Sequence, residues 1–282
     1  MFKKIGVIGA GQMGSGIAQV CIASGLEVLL SDVEEKILKS ATEKIEKGIN
    51  KMAEKKLIQE SPSDVMKKLK TTTSISDFKE TDFIIEAVVE NYEVKAEIFK
   101  KLDTIVPKDV ILSTNTSSIS ITKLASNTDR PEKVIGVHFM NPVPLMKLVE
   151  IVKGMKTSEE TIKTSLEFVQ KLGKEPIISR DSPGFVVNRV LFGMLSEAIK
   201  LLEEGVASIE DIDKGMKLGT NHPMGPFELM DLIGLDTCLF ILNVLYEEFG
   251  DPKYKAPVLL KRMVEAGYLG KKSGRGFYKY ER

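Results

Sequence analysis

The stretch Gly9-Ala10-Gly11-Gln12-Met13-Gly14 constrains the fold of this chain more than any other, because of what flanks it. Before it, Lys4-Ile5-Gly6-Val7-Ile8 has the short, apolar, β-branched character of a buried strand; after it, residues 17–23 have the apolar pattern of a helix. A bare G-x-G-x-x-G is weak, but at a strand-to-helix junction each glycine has a purpose. Gly9 allows the tight turn, Gly11 lets backbone approach a pyrophosphate, and Gly14 lets the helix pack closely, while the helix amino terminus offers N–H groups and positive dipole to phosphate. A second strand over residues 27–30 leads to Asp32, 23 positions after Gly9, where a carboxylate would accept from both hydroxyls of an adenosine ribose. The bland alternative is an ordinary glycine turn and a chance Asp; strand, helix and acid together favour the dinucleotide site. Asp32, followed by Val33-Glu34-Glu35 with no Arg, would repel a 2′-phosphate and so favours NAD(H), although nearby Lys36 leaves NADP possible.

Beyond this unit the pattern alternates. Residues 34–57 read as a long helix, 71–75 as a strand, 81–90 as a buried strand ending in the acid Glu90, 92–106 as a helix stopped by Pro107, and 110–113 as a strand. Asn115, Ser117 and Ser118 follow it; Ser118 or Ser120 would cap the next helix, leaving Ser117 available to touch substrate. Alternation of this kind predicts a Rossmann-type, doubly wound, mostly parallel sheet, with Glu90 and Ser117 on the same carboxyl edge as the glycine loop. In the long helix Lys44, Lys47, Lys51 and Lys55 recur at helical spacing. Such a stripe is either a solvated face or a surface for a phosphorylated ligand.

The strongest candidate for chemistry is His138. Residues 133–137 form a short apolar run that would deliver it at a strand's carboxyl end, and residues 146–152 form a second run. If the connection turns about Pro144, antiparallel pairing sets His138 across from Glu150, with Cβ atoms roughly 5 Å apart. A carboxylate there holds one ring nitrogen and leaves the other as a general base. A lone histidine is more often structural. The chain has only two, however, and the other, His222, sits in a turn-rich stretch with no carboxylate at a telling spacing.

The 282 residues are enough for two domains, and 43% hydrophobic with 28% charged residues describes an ordinary soluble protein. Lys+Arg and Asp+Glu balance at 40 each, which excludes a global basic field for nucleic acid or an anionic membrane. Cys21 and Cys238 lie in apolar segments without metal-ligand spacing, so they read as core residues in a reducing compartment; no metal site is expected. With no uninterrupted apolar leader and no spanning stretch, a cytoplasmic location is expected. Asp181-Ser182-Pro183-Gly184 changes the chain's character, dividing a dinucleotide-binding domain, 1–182, from a smaller all-α domain, 183–282. Helices are expected over 185–204, 209–218, 227–249 and 257–266. Within the first, Asn188 projects an amide from a largely apolar face; a position inside the helix excludes capping and leaves a structural hydrogen bond or a ligand. The remaining apolar surface suggests a homodimer interface.

These residues resemble the L-3-hydroxyacyl-CoA dehydrogenase family, and within it the short bacterial 3-hydroxybutyryl-CoA dehydrogenases. The likeness runs from the glycine loop through Asn115-Thr116-Ser117-Ser118, His138-Phe139-Met140-Asn141-Pro142 and Pro183-Gly184-Phe185-Val186-Val187-Asn188-Arg189 to His222-Pro223-Met224-Gly225-Pro226 and Lys272-Ser273-Gly274-Arg275-Gly276-Phe277-Tyr278. The resemblance implies reversible hydride transfer between NAD(H) and a 3-hydroxyacyl-CoA, in short-chain fatty acid (butyrate or butanol) metabolism. It places the catalytic pair on His138 and Glu150, and Ser117 and Asn188 on the reacting oxygen. Asp32 falls on the ribose; Glu90, Lys95, Asn115, Ser117, Asn141 and Lys272 fall near the nucleotide, and Gly9, Gly11, Gln12, Met13 and Gly14 also belong to the cofactor site. Its coenzyme A contacts are best matched by Lys51 and Lys55. Two alternatives remain at this point: a dehydrogenase of a hydroxy acid lacking coenzyme A, and a non-catalytic dinucleotide-binding protein of the same fold.

Overall fold

The structure, a computed structural model, describes residues 2–281. The chain divides into two compact units, the first ending at Ser182 and the second beginning at Pro183.

In the first unit, β1 (Lys4–Ile8), α1 (Gln12–Ala23), β2 (Glu27–Ser31), α2 (Glu35–Glu54), α3 (Pro62–Met66), β3 (Leu69–Thr72), β4 (Phe83–Glu86), α4 (Tyr92–Ile105), β5 (Ile111–Thr114), α5 (Ile121–Ala125), β6 (Val134–Phe139), β7 (Leu148–Lys153), α6 (Glu159–Lys171) and β8 (Glu175–Arg180) follow in order. The eight strands form one sheet in the order β3-β2-β1-β4-β5-β6-β7-β8. Among the described residues the only antiparallel pair in it is β6 with β7, so the doubly wound, mostly parallel reading holds. Strand order reverses direction between β1 and β4, which opens the crevice in which such sheets bind ligands.

Central strands buried on both faces explain why the sequence shows apolar runs and not alternation. Ile5 and Val7 of β1 and Val28 and Leu30 of β2 pack with Ile17 and Cys21 of α1 and Leu38, Ile45 and Ile49 of α2. Phe83 stacks on Phe168 of α6 at 4.6 Å between centroids. Each such side chain contributes about 1.5–3 kcal/mol when fully buried. Side chains cap the helix starts: Ser120, one of the two caps expected for α5, accepts from a first-turn amide, as do Asn91 on α4 and Ser158 on α6.

Two expectations need correction here. The strand expected over 71–75 lies at Leu69–Thr72, and Ile75 begins a 3-10 turn. The strand expected to end at Glu90 ends at Glu86, because the chain leaves the sheet where Ala87 and Val88 close on the glycine loop. Glu90 therefore comes from a loop.

The second unit is helical: α7 (Val187–Glu203), α8 (Ile209–Gly219), α9 (Pro226–Ile233), α10 (Leu235–Phe249) and α11 (Val258–Glu265). Its core gathers Phe192, Leu195, Ile199, Phe227, Met230, Leu242 and Leu260. The helix expected over 227–249 is two helices, broken at Gly234, whose φ of 103° bends them by 97°. No single helix among the described residues is long and apolar enough to cross a membrane. Phe185 has φ 47°, so α7 starts at Val187 and not at 185. Asn188 consequently sits in the first turn, half-buried, where backbone N–H groups lack intrahelical acceptors.

Two buried aspartates organise this unit. Asp213 accepts from the amides of Phe227 and Glu228 and from Tyr278 Oη; Asp231 accepts from the amides of Phe277 and Tyr278 and from Tyr280 Oη. They tie the Pro226 turn and the Gly276-Phe277-Tyr278 tail to the bundle, which gives both sequence motifs a structural purpose.

Candidate active site

Gly9, directly after β1, has φ 97°, and a Cβ there would lie 2.6 Å from the Ala87 carbonyl oxygen. At Gly14 a Cβ would lie 1.7 Å from the Gly9 carbonyl oxygen, so only hydrogen fits between α1 and the loop. At Gly11 a Cβ would meet nothing within 4 Å, which marks the loop's open side. Asp32 accepts from the Ala10 amide at 2.8 Å, so one carboxylate oxygen braces the loop. Beside it lies a cavity of about 550 Å³, lined by Gly9, Gly11, Asp32, Val33, Ile37 and Val88 among others. Apolar walls, an acid at the rim and open backbone at the α1 amino terminus suit the adenosine and pyrophosphate of a dinucleotide. Gln12 Nε2 donates to Asn141 Oδ1 at 3.0 Å, linking the glycine loop to the β6–β7 connection.

At the same sheet edge β6 and β7 pair with His138 opposite Glu150, a register centred on Pro144. His138 Nδ1 lies 2.8 Å from Glu150 Oε2, and its Nε2 lies 2.9 Å from Ser117 Oγ. Glu150 is fully buried and His138 is 5% exposed. A buried carboxylate requires donors, so Nδ1 carries the hydrogen and Nε2 presents its lone pair to the Ser117 hydroxyl. The β6–β7 connection is held from below by Lys174, whose buried Nζ donates to the carbonyls of Val143 and Met146 at 2.6 and 2.8 Å. Burial pushes that ammonium below its ordinary value.

The Ser117 loop is anchored by Glu90. Its Oε1 accepts from Thr116 Oγ1 at 2.5 Å, the amides of Ser117 and Ser118 at 2.9 and 3.0 Å, and Ser118 Oγ at 2.9 Å. Its Oε2 is 3.5 Å from Lys95 Nζ. Burial works to raise the Glu90 carboxyl, but Lys95 and these donors outweigh it and hold it below its ordinary value. Lys95, 1% exposed, pairs more closely with the buried Glu86 at 2.7 Å. Glu86 in turn accepts from the Val88 amide and from Thr114 Oγ1. Asn115 Oδ1 accepts from the Phe139 amide, joining the β5 loop to the backbone beside His138.

Ser117, His138 and Glu150 in series could suggest a nucleophilic serine. The amides of Ser117 and Ser118 both point at the Glu90 carboxylate, however, so an oxyanion would face a negative charge where hydrolases offer N–H donors. The arrangement is suited to moving a proton to and from Nε2.

The first unit thus brings together Ser117, His138, Glu150, Glu90, Lys95 and Asn115. Lys51, in the last turn of α2, and Lys55, just past it, are exposed. Asn188 and Lys272 belong to the second unit, where Lys272 Nζ pairs with Asp236 at 2.6 Å. Sequence reasoning missed Glu86, Thr114 and Lys174. An acid inside the run Phe83-Ile84-Ile85-Glu86 was the available signal, since a buried acid must find a partner. Cys21 and Cys238 are core residues, and burial pushes the Cys238 thiol up to about 12.

Comparison with known proteins gives the family. Residues 4–182 match the sequence profile of the 3-hydroxyacyl-CoA dehydrogenase NAD binding domain, and residues 184–280 match that of the 3-hydroxyacyl-CoA dehydrogenase C-terminal domain. The chain is 52% identical over 277 residues to a probable 3-hydroxybutyryl-CoA dehydrogenase of Deinococcus radiodurans, covering 98% of this chain and 100% of that one. It is 45% identical over 287 residues to the human mitochondrial hydroxyacyl-coenzyme A dehydrogenase, covering 99% of this chain and 91% of that one. The crystal structure of (S)-3-hydroxybutyryl-CoA dehydrogenase from Ralstonia eutropha superposes with a TM-score of 0.96 at 47% identity, with both chains fully covered. With both domain profiles matched in order and these identities sustained over its length, the chain belongs to the 3-hydroxyacyl-CoA dehydrogenase family of NAD-binding oxidoreductases.

Proposed function

We propose that this enzyme is an (S)-3-hydroxybutyryl-CoA dehydrogenase, interconverting 3-hydroxybutyryl-CoA and acetoacetyl-CoA. The observation that carries the reading is the Ser117–His138–Glu150 series at the carboxyl edge of a dinucleotide-binding sheet. Bound NAD supplies the hydride acceptor, or, when reduced, the donor. In the oxidising direction His138 Nε2 takes the proton of the 3-hydroxyl, and Glu150 steadies the imidazolium formed. In the reducing direction the imidazolium returns that proton to the oxygen. Ser117 Oγ and the Asn188 amide orient the reacting oxygen, each contributing about 2 to 4 kcal/mol to barrier reduction. Glu90, Lys95, Asn115, Asn141 and Lys272 serve the nucleotide. The first unit carries the nucleotide and the proton relay; the second carries Asn188 and forms a homodimer. The protein works in the cytoplasm, in short-chain fatty acid metabolism.

The deciding assay follows NADH absorbance with acetoacetyl-CoA and, separately, with free acetoacetate. Turnover with the thioester and none with the free acid is expected. Turnover with the free acid alone would assign the chain to hydroxy acids lacking coenzyme A, and NADH binding without turnover of either would make it a non-catalytic binder.

Asp32 sets the cofactor preference, because a 2′-phosphate would meet its charge. Wild-type kcat/KM should be higher with NADH than with NADPH, and Asp32→Ser should narrow the gap. A wild-type enzyme that prefers NADPH would contradict this assignment.

Lys51 and Lys55 receive coenzyme A phosphates. Replacing both by alanine should raise KM for acetoacetyl-CoA severalfold, more at low than at high salt, because exposed phosphate contacts are screened. An unchanged KM at low ionic strength would return both to the role of a solvated face.

A further inference from the structure

Glu86 has no place in the mechanism above, yet it is a fully buried acid at the carboxyl end of β4, opposite Ile8 where the glycine loop begins. Its carboxylate accepts Val88 N–H at 2.7 Å, Thr114 Oγ1–H at 2.6 Å and Lys95 Nζ at 2.7 Å. Lys95 also faces Glu90 at 3.5 Å, and Glu90 holds the Ser117 amide. Two carboxylates thus share one ammonium, so by formal charge the cluster has one acid more than base, with Glu86 and Lys95 buried and Glu90 at the edge of solvent. A neutral packing of the same site would need one carboxylate fewer.

Its position gives that charge a consequence. Asp32 and its cavity would hold the adenosine half of a dinucleotide on the β2 side of the switch point, which would leave β4 and β5 for the nicotinamide half. Hydride transfer further requires the nicotinamide beside the carbon whose oxygen meets His138 Nε2, the atom Ser117 also contacts. The oxidised nicotinamide ring is a cation and the reduced ring is neutral. A fixed negative charge in a poorly screened place attracts the first and is indifferent to the second.

We propose that the Glu86–Lys95–Glu90 cluster is a redox-state selector, whose single negative charge favours binding of the oxidised over the reduced cofactor, with Glu86 its unassigned member. This rests on the NAD reading above. Glu86 acts without touching the cofactor, through the field of the cluster and by holding Lys95 in place.

The test is a pair of equilibrium titrations, needing no substrate. The chain contains no tryptophan, so NADH fluorescence excited in its own absorption band reports binding free of tryptophan emission, and NAD⁺ is measured by displacement. Glu86→Gln should raise the ratio of the NAD⁺ to the NADH dissociation constant at least about threefold, the size expected for removing a partly screened unit charge. Glu90→Gln, at a side chain 28% exposed and so more tolerant of change, should raise the ratio in the same direction even if Glu86→Gln does not fold. Thr114→Val removes a hydrogen bond to Glu86 and no charge, and should leave the ratio where it is. An unmoved ratio in either folded glutamine variant, or an equal shift in Thr114→Val, would overturn the proposal. Failure of the wild type to bind NADH would overturn the NAD reading instead.

Discussion

Replacing His138 by glutamine is expected to lower kcat for acetoacetyl-CoA reduction by roughly 10²- to 10⁴-fold, the range general acid–base catalysis supplies. The dissociation constant for NADH should stay within about twofold of wild type. His138 Nδ1 is bonded to Glu150 and its Nε2 to Ser117, so the ring is held at both nitrogens and only Nε2 can exchange a proton with a ligand. Glutamine fills the space and keeps a hydrogen-bonding end, but it has no proton to lose near neutral pH. The glycine loop and Asp32 are untouched, so cofactor binding persists. Progress curves at saturating NADH and fluorescence titration of the variant check both halves. Near-wild-type turnover would place the proton transfer elsewhere.

The second large effect concerns stability. Arg130, 1% exposed, closes the carboxyl end of α4. Its Nε donates to Asp103 Oδ1 at 2.6 Å; Nη2 donates to the carbonyls of Asp103 and Val106, and Nη1 to those of Pro107 and Val110. These include carbonyls that a helix end leaves without partners, at the negative end of its dipole. Arg130→Met keeps an unbranched chain in the space but takes the guanidinium from a buried carboxylate, leaving it the Asp129 amide and the more distant Lys108, and removes the Arg130 donors from several carbonyls; it should cost about 3–5 kcal/mol in denaturant unfolding. The loss should depend on pH. Burial works to raise the Asp103 carboxyl, but the Asp129 amide, Arg130 and Lys108 outweigh it and hold it below its ordinary value. A carboxyl depressed on folding stabilises the protein above its unfolded value, about 3.9, and that contribution is lost as pH falls through the folded value. The gap between wild type and Arg130→Met should therefore be full at neutral pH and narrow below about pH 4. A variant as stable as wild type at pH 7 would show that Arg130 only fills space.

The features that could be read from the sequence are those fixed by local chemistry. The glycine spacing admits one turn geometry, and the structure shows why: a Cβ at Gly14 would meet the Gly9 carbonyl. Pairing of His138 with Glu150 follows from parity alone once the turn is centred on Pro144. What could not be read depends on partners distant in the chain. Ala87, Val88 and Val89 look like strand because they are apolar, yet they line the cavity beside the glycine loop, and the strand stops at Glu86. Glu90 therefore appeared to be a strand-end acid, and its grip on the Ser117 loop, which comes from a segment 27 residues away, was invisible. The break at Gly234 was hidden by apolar periodicity continuing on both sides. Asn188 moved into the first turn of α7 because Phe185 takes positive φ, which no spacing rule announces.

If the carboxylate behind the imidazole makes His138 a catalytic base, Glu150→Gln measures that dependence most directly. Glutamine at 150 keeps the shape and still accepts from Nδ1, but it cannot stabilise an imidazolium by charge. With acetoacetyl-CoA and NADH both saturating, kcat should fall by about a hundredfold or more, which is about 2.7 kcal/mol, while the NADH dissociation constant holds. A Glu150→Gln enzyme that turns over at the wild-type rate would contradict the account.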